Sequence, residues 1–300
     1  MIYLSRERRE RLKTLERATS RLPPLRLTSR DIAIVQAVYQ YRALTSEHIR
    51  ALYFPTKAGR THCQMRLKLL FHHGYLFRDE QPTKLTEGRR PLVYSLDQRG
   101  AALLRERDLW EEEIIWKPEH NRVGSSFIEH LLRTNDVRVA MVVAAGKGGF
   151  TIKKWLDDGT LKRRQMKDYV TIATPGGRRR KVAVIPDGYF VLDLGEKRAH
   201  FFIEVDRATL AHRRWKTRVQ AYLAYTSQGL YQKKYQTKSL RILTITTGER
   251  RLENLKTTTE AVGGQRMFWF TTFGQASPER ILTQPIWQVA GQQGEQSLIY

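Results

Sequence analysis

The chain has 300 residues, and 53 Lys and Arg against 30 Asp and Glu give a formal net charge of +23 at pH 7. Because soluble domains average roughly 100–200 residues, this length predicts about two domains. With 41% hydrophobic and 10% aromatic residues, the composition excludes a wholly disordered basic tail, so the excess charge must lie on folded surface. A folded protein this basic usually binds a polyanion. Nucleic acid is the first candidate and an anionic membrane is the second.

The sequence also indicates the compartment. Its single cysteine, Cys63, cannot form an internal disulfide or a cysteine-based zinc site by itself. Residues 1–24 are charged, end in Leu-Pro-Pro and lack the apolar stretch of a signal peptide. No run approaches the roughly 18 apolar residues of a membrane-spanning helix. We therefore expect a soluble, cytoplasmic protein with no membrane partner, which begins with a basic tail or short helix.

Residues 25–110 have the pattern of a winged helix-turn-helix domain. Thr28 and Thr45 are typical N-caps for two short amphipathic helices. A third helix is predicted over residues 58–72, before a glycine that suits a helix C-terminus. Two strands joined by a polar loop follow within residues 75–96, and a closing helix comes after them. Three helices and a hairpin in this order are typical of winged helix-turn-helix folds.

The third helix of such a domain enters the major groove, and the wing contacts the DNA backbone. Polar and basic side chains on this helix and wing are therefore the predicted DNA-binding residues: Arg60, Thr61, Gln64, Arg66, Lys68, Arg89 and Arg90. Two alternatives stay open at this stage. The polar face is either an ordinary solvated helix face, or the domain docks onto another protein.

An acidic segment at residues 111–122 interrupts the basic pattern and is interpreted as a linker. A second domain is predicted over residues 123–275, and the Gln- and Gly-rich residues 276–300 are expected to form a loosely packed tail. The predicted elements are a helix over 123–145, a strand over 150–155, a hairpin of 168–174 with 181–193, a strand over 199–205, a helix over 209–225, a strand over 240–246, a helix over 249–262 and a strand over 267–272. This order predicts an α/β domain with a mixed sheet, and hence a two-domain α+β protein.

Three carboxylates stand at the ends of two predicted strands in the second domain. Asp187 follows one apolar run, and Glu204 and Asp206 end the next long strand. Residues i and i+2 of a strand face the same side of a sheet, so Glu204 and Asp206 are expected to project together, with Asp187 beside them. Converging carboxylates suit Mg²⁺ or Mn²⁺. A metal there activates water and stabilises charge on a phosphodiester, so the sequence predicts DNA cleavage.

The motif Pro186-Asp187 followed by Glu204-x-Asp206 resembles the PD-(D/E)XK superfamily, whose members have a restriction-endonuclease-like fold. The resemblance implies catalytic roles for Asp187, Glu204 and Asp206, and for Glu129 as the acid of the first helix. The family's Lys two residues after the Glu is replaced here by Asp206. In some members a basic residue on the following helix takes its place; here Lys216 is the candidate, with Arg207 and Arg213 as rivals.

A closer resemblance covers nearly the whole chain. The segments RLTSRDI (26–32), LTSEHI (44–49), EHL (129–131) with ND (135–136), PDGY (186–189), EVDRAT (204–209) and YLAY (222–225) are similar to the replication-relaxation family of bacterial plasmids and integrative elements. The layout is also similar to restriction-like relaxases of the MobC type. These resemblances imply a role in plasmid replication or mobilisation with relaxation or nicking of double-stranded DNA. They also imply contacts with other replication, mobilisation or transposition proteins, and a homodimer stays open.

Several alternatives remain at the level of sequence. Basic runs occur at residues 162–164, 178–181 and 213–218, and Arg207 lies shortly before the last of them. They either line a DNA groove beside the carboxylates, with Arg179, Arg207 and Arg213 as the predicted DNA-binding residues, or form solvated faces. Tyr222 and Tyr225 are either nucleophiles or core residues, and His130 is either a ligand or a core residue. The first functional hypothesis is a metal-dependent endonuclease or nickase. The alternatives are a non-catalytic DNA-binding replication or regulatory protein with a degenerate nuclease fold, and a structural adaptor.

Overall fold

The computed structural model of the chain describes residues 16–18, 22–81, 90–110, 113–173 and 177–299. The chain forms two compact units, which meet in the sequence between Asn135 and Asp136. Among the helices of these residues, none is both long and apolar enough to cross a membrane.

The first unit combines short helices with a three-stranded antiparallel sheet of order β1-β3-β2. Its elements are α1 (Ser29–Tyr41), β1 (Ala43–Thr45), α2 (Ser46–Tyr53), α3 (Gly59–His72), β2 (Leu76–Asp79), β3 (Val93–Leu96), α4 (Gln98–Glu106), a 3-10 turn (Pro118–Asn121) and the start of α5 (Ser125–Lys147).

Both predicted helix caps are confirmed. The Thr28 hydroxyl accepts a hydrogen bond from the Asp31 amide, and the Asp31 carboxylate accepts one from the Thr28 amide at 2.7 Å. Thr45 caps α2 in the same reciprocal way with His48. Each pair satisfies backbone N–H groups that the first helical turn leaves without partners, which fixes where these two helices begin.

The division between the units lies inside α5, whereas the linker was predicted at residues 111–122. The reason is the packing of the first turns of α5. Leu131 and Leu132 pack against Ala43 of β1 and Val93 of β3. The buried Asn135 amide donates hydrogen bonds to the carbonyl oxygens of Tyr41 and Ala43 at 3.0 and 2.7 Å. The beginning of this helix is therefore part of the first unit.

The second unit is built on a seven-stranded sheet of order β12-β11-β10-β9-β8-β7-β4. Its elements are the rest of α5, β4 (Thr151–Asp157), α6 (Asp158–Leu161), β5 (Asp168–Ala173), β6 (Arg179–Val184), β7 (Gly188–Asp193), β8 (Arg198–Val205), α7 (His212–Ser227), α8 (Leu230–Tyr235), β9 (Arg241–Thr246), α9 (Glu249–Glu260), β10 (Phe268–Thr272), β11 (Trp287–Val289) and β12 (Glu295–Gln296). Strands β8, β9 and β10 are parallel and their outer neighbours are antiparallel, which confirms the predicted mixed sheet.

Both faces of this sheet are covered. Helix α5 packs on one face through residues such as Met141, against Phe201 and Ile203 of β8. Helices α7, α8 and α9 cover the other face, where Trp215 and Tyr222 of α7 pack beside Phe202. Strand β8 therefore alternates its side chains between two cores, which explains why Phe201, Phe202 and Ile203 are all buried although they follow one another in the sequence.

Two expectations about this unit are corrected. Residues 181–193 form two strands, not one: β6 pairs with β5 in a separate two-stranded ribbon, and β7 joins the large sheet. Residues 276–299 do not form a loose tail. They contribute β11 and β12 to the sheet, and Ile281, Ile286 and Trp287 are fully buried.

Candidate functional site

Glu204 lies near the carboxyl end of β8 and is buried at 2% exposure. Its two carboxylate oxygens accept hydrogen bonds from two side chains of α7, the Arg218 guanidinium and the Tyr222 hydroxyl. Arg218 and Tyr222 are four residues apart, so they share one face of the helix. Burial raises the pKa of Glu204 to about 7, although the Arg218 charge opposes the shift and the Asp187 charge adds to it.

Asp206 follows β8 and has its own cation. Arg251 of α9 donates hydrogen bonds to both carboxylate oxygens, each at 2.9 Å, and the Thr246 hydroxyl donates a third at 2.7 Å. The Ala208 amide adds a longer contact at 3.3 Å. Burial alone would raise the pKa of Asp206, but the hydrogen bonds from Arg251 and Thr246 outweigh burial and hold the pKa below its ordinary value.

Asp187 immediately precedes β7 and is tied to the end of β8. Its carboxylate accepts a hydrogen bond from the Val205 amide at 2.8 Å, and its own amide donates to the Ile203 carbonyl at 2.9 Å. The strands thus bring Asp187 close enough to Glu204 for the two charges to interact. They do not leave all three carboxylates facing one open position.

The residues present do not fit a three-carboxylate metal centre in this arrangement. Magnesium needs oxygen ligands at about 2.1 Å in near-octahedral geometry. The oxygens of Glu204 and Asp206 are instead occupied by arginine, tyrosine and threonine donors. Across the part of the chain that the structure describes, no group of three or more His, Cys, Asp or Glu side chains could hold a metal ion.

The cation that contacts Glu204 is Arg218, and the catalytic role of Lys216 stays a prediction. Lys216 is exposed on α7. Side chains two residues apart on a helix point about 200° away from each other, so Lys216 and Arg218 face different sides of α7. Arg213 is exposed and Arg207 is half-buried. Glu129 lies on the part of α5 that belongs to the first unit, and its catalytic role stays a prediction.

Both tyrosines considered as nucleophiles are packed into the α7 core. Tyr222 donates to Glu204, and Tyr225 donates to Asp168, which also binds Lys234 at 2.6 Å. Burial raises the pKa of both hydroxyls far above the ordinary value, with the neighbouring carboxylates adding to the shift. This environment favours the core interpretation, since a nucleophilic tyrosine needs an accessible and easily deprotonated hydroxyl. His130 lies half-buried on α5.

Sequence reasoning missed Arg218, Arg251 and Thr246. The spacing of Arg218 and Tyr222 on one helical face was a usable signal, because residues four apart on a helix lie on the same side. Arg251 carries no such signal, since it lies 45 residues beyond Asp206 and reaches it only through the packing of α9.

On α3, the predicted DNA-binding residues divide into two groups. Arg60, Thr61 and Gln64 are exposed, and Lys68 is half-buried. Arg66 instead binds Asp31, with its Nε atom 2.9 Å from one carboxylate oxygen, and it also donates to the Arg26 carbonyl. Because Asp31 is only 1% exposed, Arg66 neutralises a buried charge inside the first unit, and its contact with DNA stays a prediction.

The remaining predicted DNA-binding positions are placed as follows. Arg90 is half-buried next to β3, and Arg179 is exposed on β6. Arg89 lies outside the described residues, so its role in the wing stays a prediction.

The comparisons with known proteins give one clear result. The replication-relaxation family model matches residues 35–240, which is more than half of the chain, so the chain belongs to the replication-relaxation family. No curated protein matches the sequence closely enough to count as a relative.

Two solved structures of the restriction endonuclease FokI are similar over about four-fifths of this chain. The DNA-bound structure shares 9% identity and covers 83% of this chain and 43% of FokI, with a TM-score of 0.26. The second FokI structure shares 12% identity and covers 82% of this chain and 42% of FokI, also with a TM-score of 0.26. The chain thus spans less than half of FokI.

Proposed function

We propose that this chain is a DNA-binding replication protein that contacts duplex DNA through α3 and whose strand-end carboxylates Glu204 and Asp206 are structural partners of arginines. The observation that carries the proposal is the pairing of both strand-end acids with arginines, Glu204 with Arg218 and Asp206 with Arg251. This arrangement favours the non-catalytic alternative over the nickase, because it uses the carboxylates as partners of fixed cations. Membership of the replication-relaxation family supports the link to replication.

The element order of the first unit supports a winged helix-turn-helix. Helices α1, α2 and α3 precede the hairpin of β2 and β3, and α4 follows it. The buried side of α3, with Cys63, Leu67 and Leu70, anchors the helix in this unit. The opposite side is left for a ligand, as a recognition helix requires.

The exposed residues of α3 suit duplex DNA. Arg60, Thr61 and Gln64 lie in its first two turns, which is the part of a recognition helix that contacts base edges. Arginine reads guanine and glutamine reads adenine by paired hydrogen bonds, and threonine contacts either bases or phosphates. Lys68 lies two turns beyond Thr61 on the same face, where it suits a phosphate contact.

The proposal is tested by fluorescence polarisation with a labelled duplex of mixed sequence at low salt, in EDTA. We expect Arg60→Glu combined with Lys68→Glu to weaken binding at least tenfold, because each change replaces an attraction to the anionic duplex with a repulsion. A matched control combines Lys238→Glu with Arg198→Glu, two exposed cations of the second unit. Equal affinities for the α3 variant and the wild type would overturn the role of α3.

The second candidate is the Mg²⁺- or Mn²⁺-dependent endonuclease or nickase. The observation that favours it is the proximity of Asp187 and Glu204, whose charges interact across neighbouring strands. This candidate requires Glu204 and Asp206 to leave their arginine partners when DNA and metal bind. A plasmid-nicking assay separates it from the first proposal.

A further inference from the structure

The ribbon of β5 and β6 has one face that the carboxylates and α3 do not involve. Cross-strand partners of an antiparallel pair point to the same side of a ribbon. The pairs Tyr169 with Ala183, Thr171 with Lys181, and Ala173 with Arg179 therefore form one side, called here the outer face of the ribbon. Five of these six residues are exposed and Ala183 is half-buried.

The other side of the ribbon is fixed to the protein. Val170, Ile172 and Val184 are buried in the core beneath α7 and α8. Asp168 at the start of β5 receives hydrogen bonds from Tyr225 and Lys234, and Gln228 donates to the Thr171 carbonyl at 3.3 Å. The outer face is therefore a platform held by rigid elements and not a free arm.

The chemistry of the outer face is unusual for a solvated surface. It contains the cations Arg179 and Lys181 and no acid. Tyr169 is 46% exposed, and it is the only exposed Phe, Trp or Tyr among the described residues. The Nζ atom of Lys181 lies 4.7 Å from the centre of the Tyr169 ring. The outer face thus combines an exposed aromatic ring, Tyr169, with a cation in contact with it, Lys181, and a second cation on the same side, Arg179.

We propose that the outer face of the ribbon binds single-stranded DNA, with Tyr169 stacking on a base and Lys181 and Arg179 contacting the flanking phosphates. Proteins that bind single strands combine such aromatic stacking with a basic surface that follows the backbone. A duplex gains little from an exposed tyrosine, because its bases are already stacked on each other. This site goes beyond the duplex contact proposed for α3 and is carried by different residues.

The test uses the full chain and a labelled oligodeoxythymidylate of about 12 nucleotides, a length within the range that such surfaces cover. Tyr169→Ala should weaken binding between about 5-fold and 100-fold, the range expected for loss of one stacked base. Tyr169→Phe keeps the ring and should bind like the wild type. Lys181→Ala should lower the slope of log affinity against log salt by about 0.7, the value for one phosphate contact on a single strand, whereas Lys238→Ala should not.

The same variants are measured with the duplex used for α3. Tyr169→Ala should leave duplex affinity within twofold of the wild type, and the α3 variant should retain single-strand binding. Unchanged single-strand binding by Tyr169→Ala, or equal losses on both ligands, would overturn the proposal. Failure of the α3 variant to weaken duplex binding would contradict the α3 role alone. Circular dichroism melts confirm that each variant is folded.

Discussion

Arg251 donates hydrogen bonds to both carboxylate oxygens of Asp206, each at 2.9 Å, and so joins α9 to the carboxyl end of β8. Both side chains are largely buried, at 15% and 3% exposure. A buried pair of this kind is costly to break, because removal of one partner leaves the other charge in a poorly solvated site. A structural role for Asp206 can therefore be measured as a loss of stability when the pair is broken.

Asp206→Ala is expected to lower the free energy of unfolding by about 3 kcal/mol in metal-free buffer, since it leaves the Arg251 guanidinium without its partner. Urea denaturation monitored by circular dichroism measures the change. The control is Glu249→Ala, at an exposed position of α9, the helix that carries Arg251. It should cost less than about 0.5 kcal/mol. An acid held for a metal in a repulsive cluster behaves in the opposite way, so unchanged or increased stability of Asp206→Ala would contradict the structural role.

The raised pKa of Glu204 should make the free energy of unfolding depend on pH. Burial raises its pKa from 4.5 to about 7 in the folded state, so between these values the folded protein holds a proton that the unfolded chain releases. Stability then falls as pH rises through this window, at about 1.4 kcal/mol per pH unit when the effect is complete. Glu204→Gln cannot titrate and should lose this part of the pH dependence.

The measurement is the urea midpoint of the wild type and of Glu204→Gln at pH 5 and pH 7.5. We expect the wild type to lose stability relative to the variant at the higher pH. Glu253→Gln changes an exposed glutamate of α9 and should follow the wild type. Parallel pH profiles for the wild type and Glu204→Gln would contradict the assignment.

Arg66 and Gln64 should behave differently although both lie on α3. Arg66→Ala leaves the buried Asp31 carboxylate without its cation, so we expect a loss of about 3 kcal/mol in unfolding free energy. Gln64→Ala changes an exposed side chain and should leave stability within about 0.5 kcal/mol while it weakens duplex binding. Thermal melts and polarisation titrations of the two variants separate the roles; the reverse assignment of effects would show that the α3 faces are misplaced.

The last strands of the sheet should be essential for the second unit. Trp287 is fully buried, and its indole N–H donates to the Ile281 carbonyl at 2.9 Å. Trp287→Ala should cost about 3–5 kcal/mol, the range for loss of a large aromatic side chain from a core. Gln293→Ala, on an exposed part of the same segment, should have little effect. A wild-type melting curve for Trp287→Ala would indicate that residues 276–299 form a tail after all.

Local signals predicted much of the fold. The Thr28 and Thr45 caps set helix starts because their partners lie within three residues. Cys63, Leu67, Leu70 and Phe71 are spaced as one face of a helix, and they form the buried side of α3. The apolar run that became β8 was also identified, since a central strand of a covered sheet needs little beyond continuous hydrophobicity.

The arrangement of the carboxylates depended on distant residues and could not be predicted in the same way. Strand periodicity placed Glu204 and Asp206 on one side of the sheet, but it says nothing about the arginines that reach them. Arg218 and Arg251 come from two different helices, and their positions follow from how α7 and α9 pack. The segment 276–299 was misjudged for a related reason: its few apolar residues, including Trp287, are separated by Gln and Gly and become a pattern only when the sheet edge is present.

The most direct test of the central claim is a supercoiled-plasmid nicking assay with Mg²⁺ or Mn²⁺, run beside duplex-binding titrations in EDTA and in Mg²⁺. It compares the wild type with Asp187→Ala and Glu204→Ala. The account predicts that Mg²⁺ does not strengthen duplex binding, and that no nicking activity depends on these two carboxylates. Metal-dependent nicking by the wild type that both variants abolish would contradict it and establish the nickase.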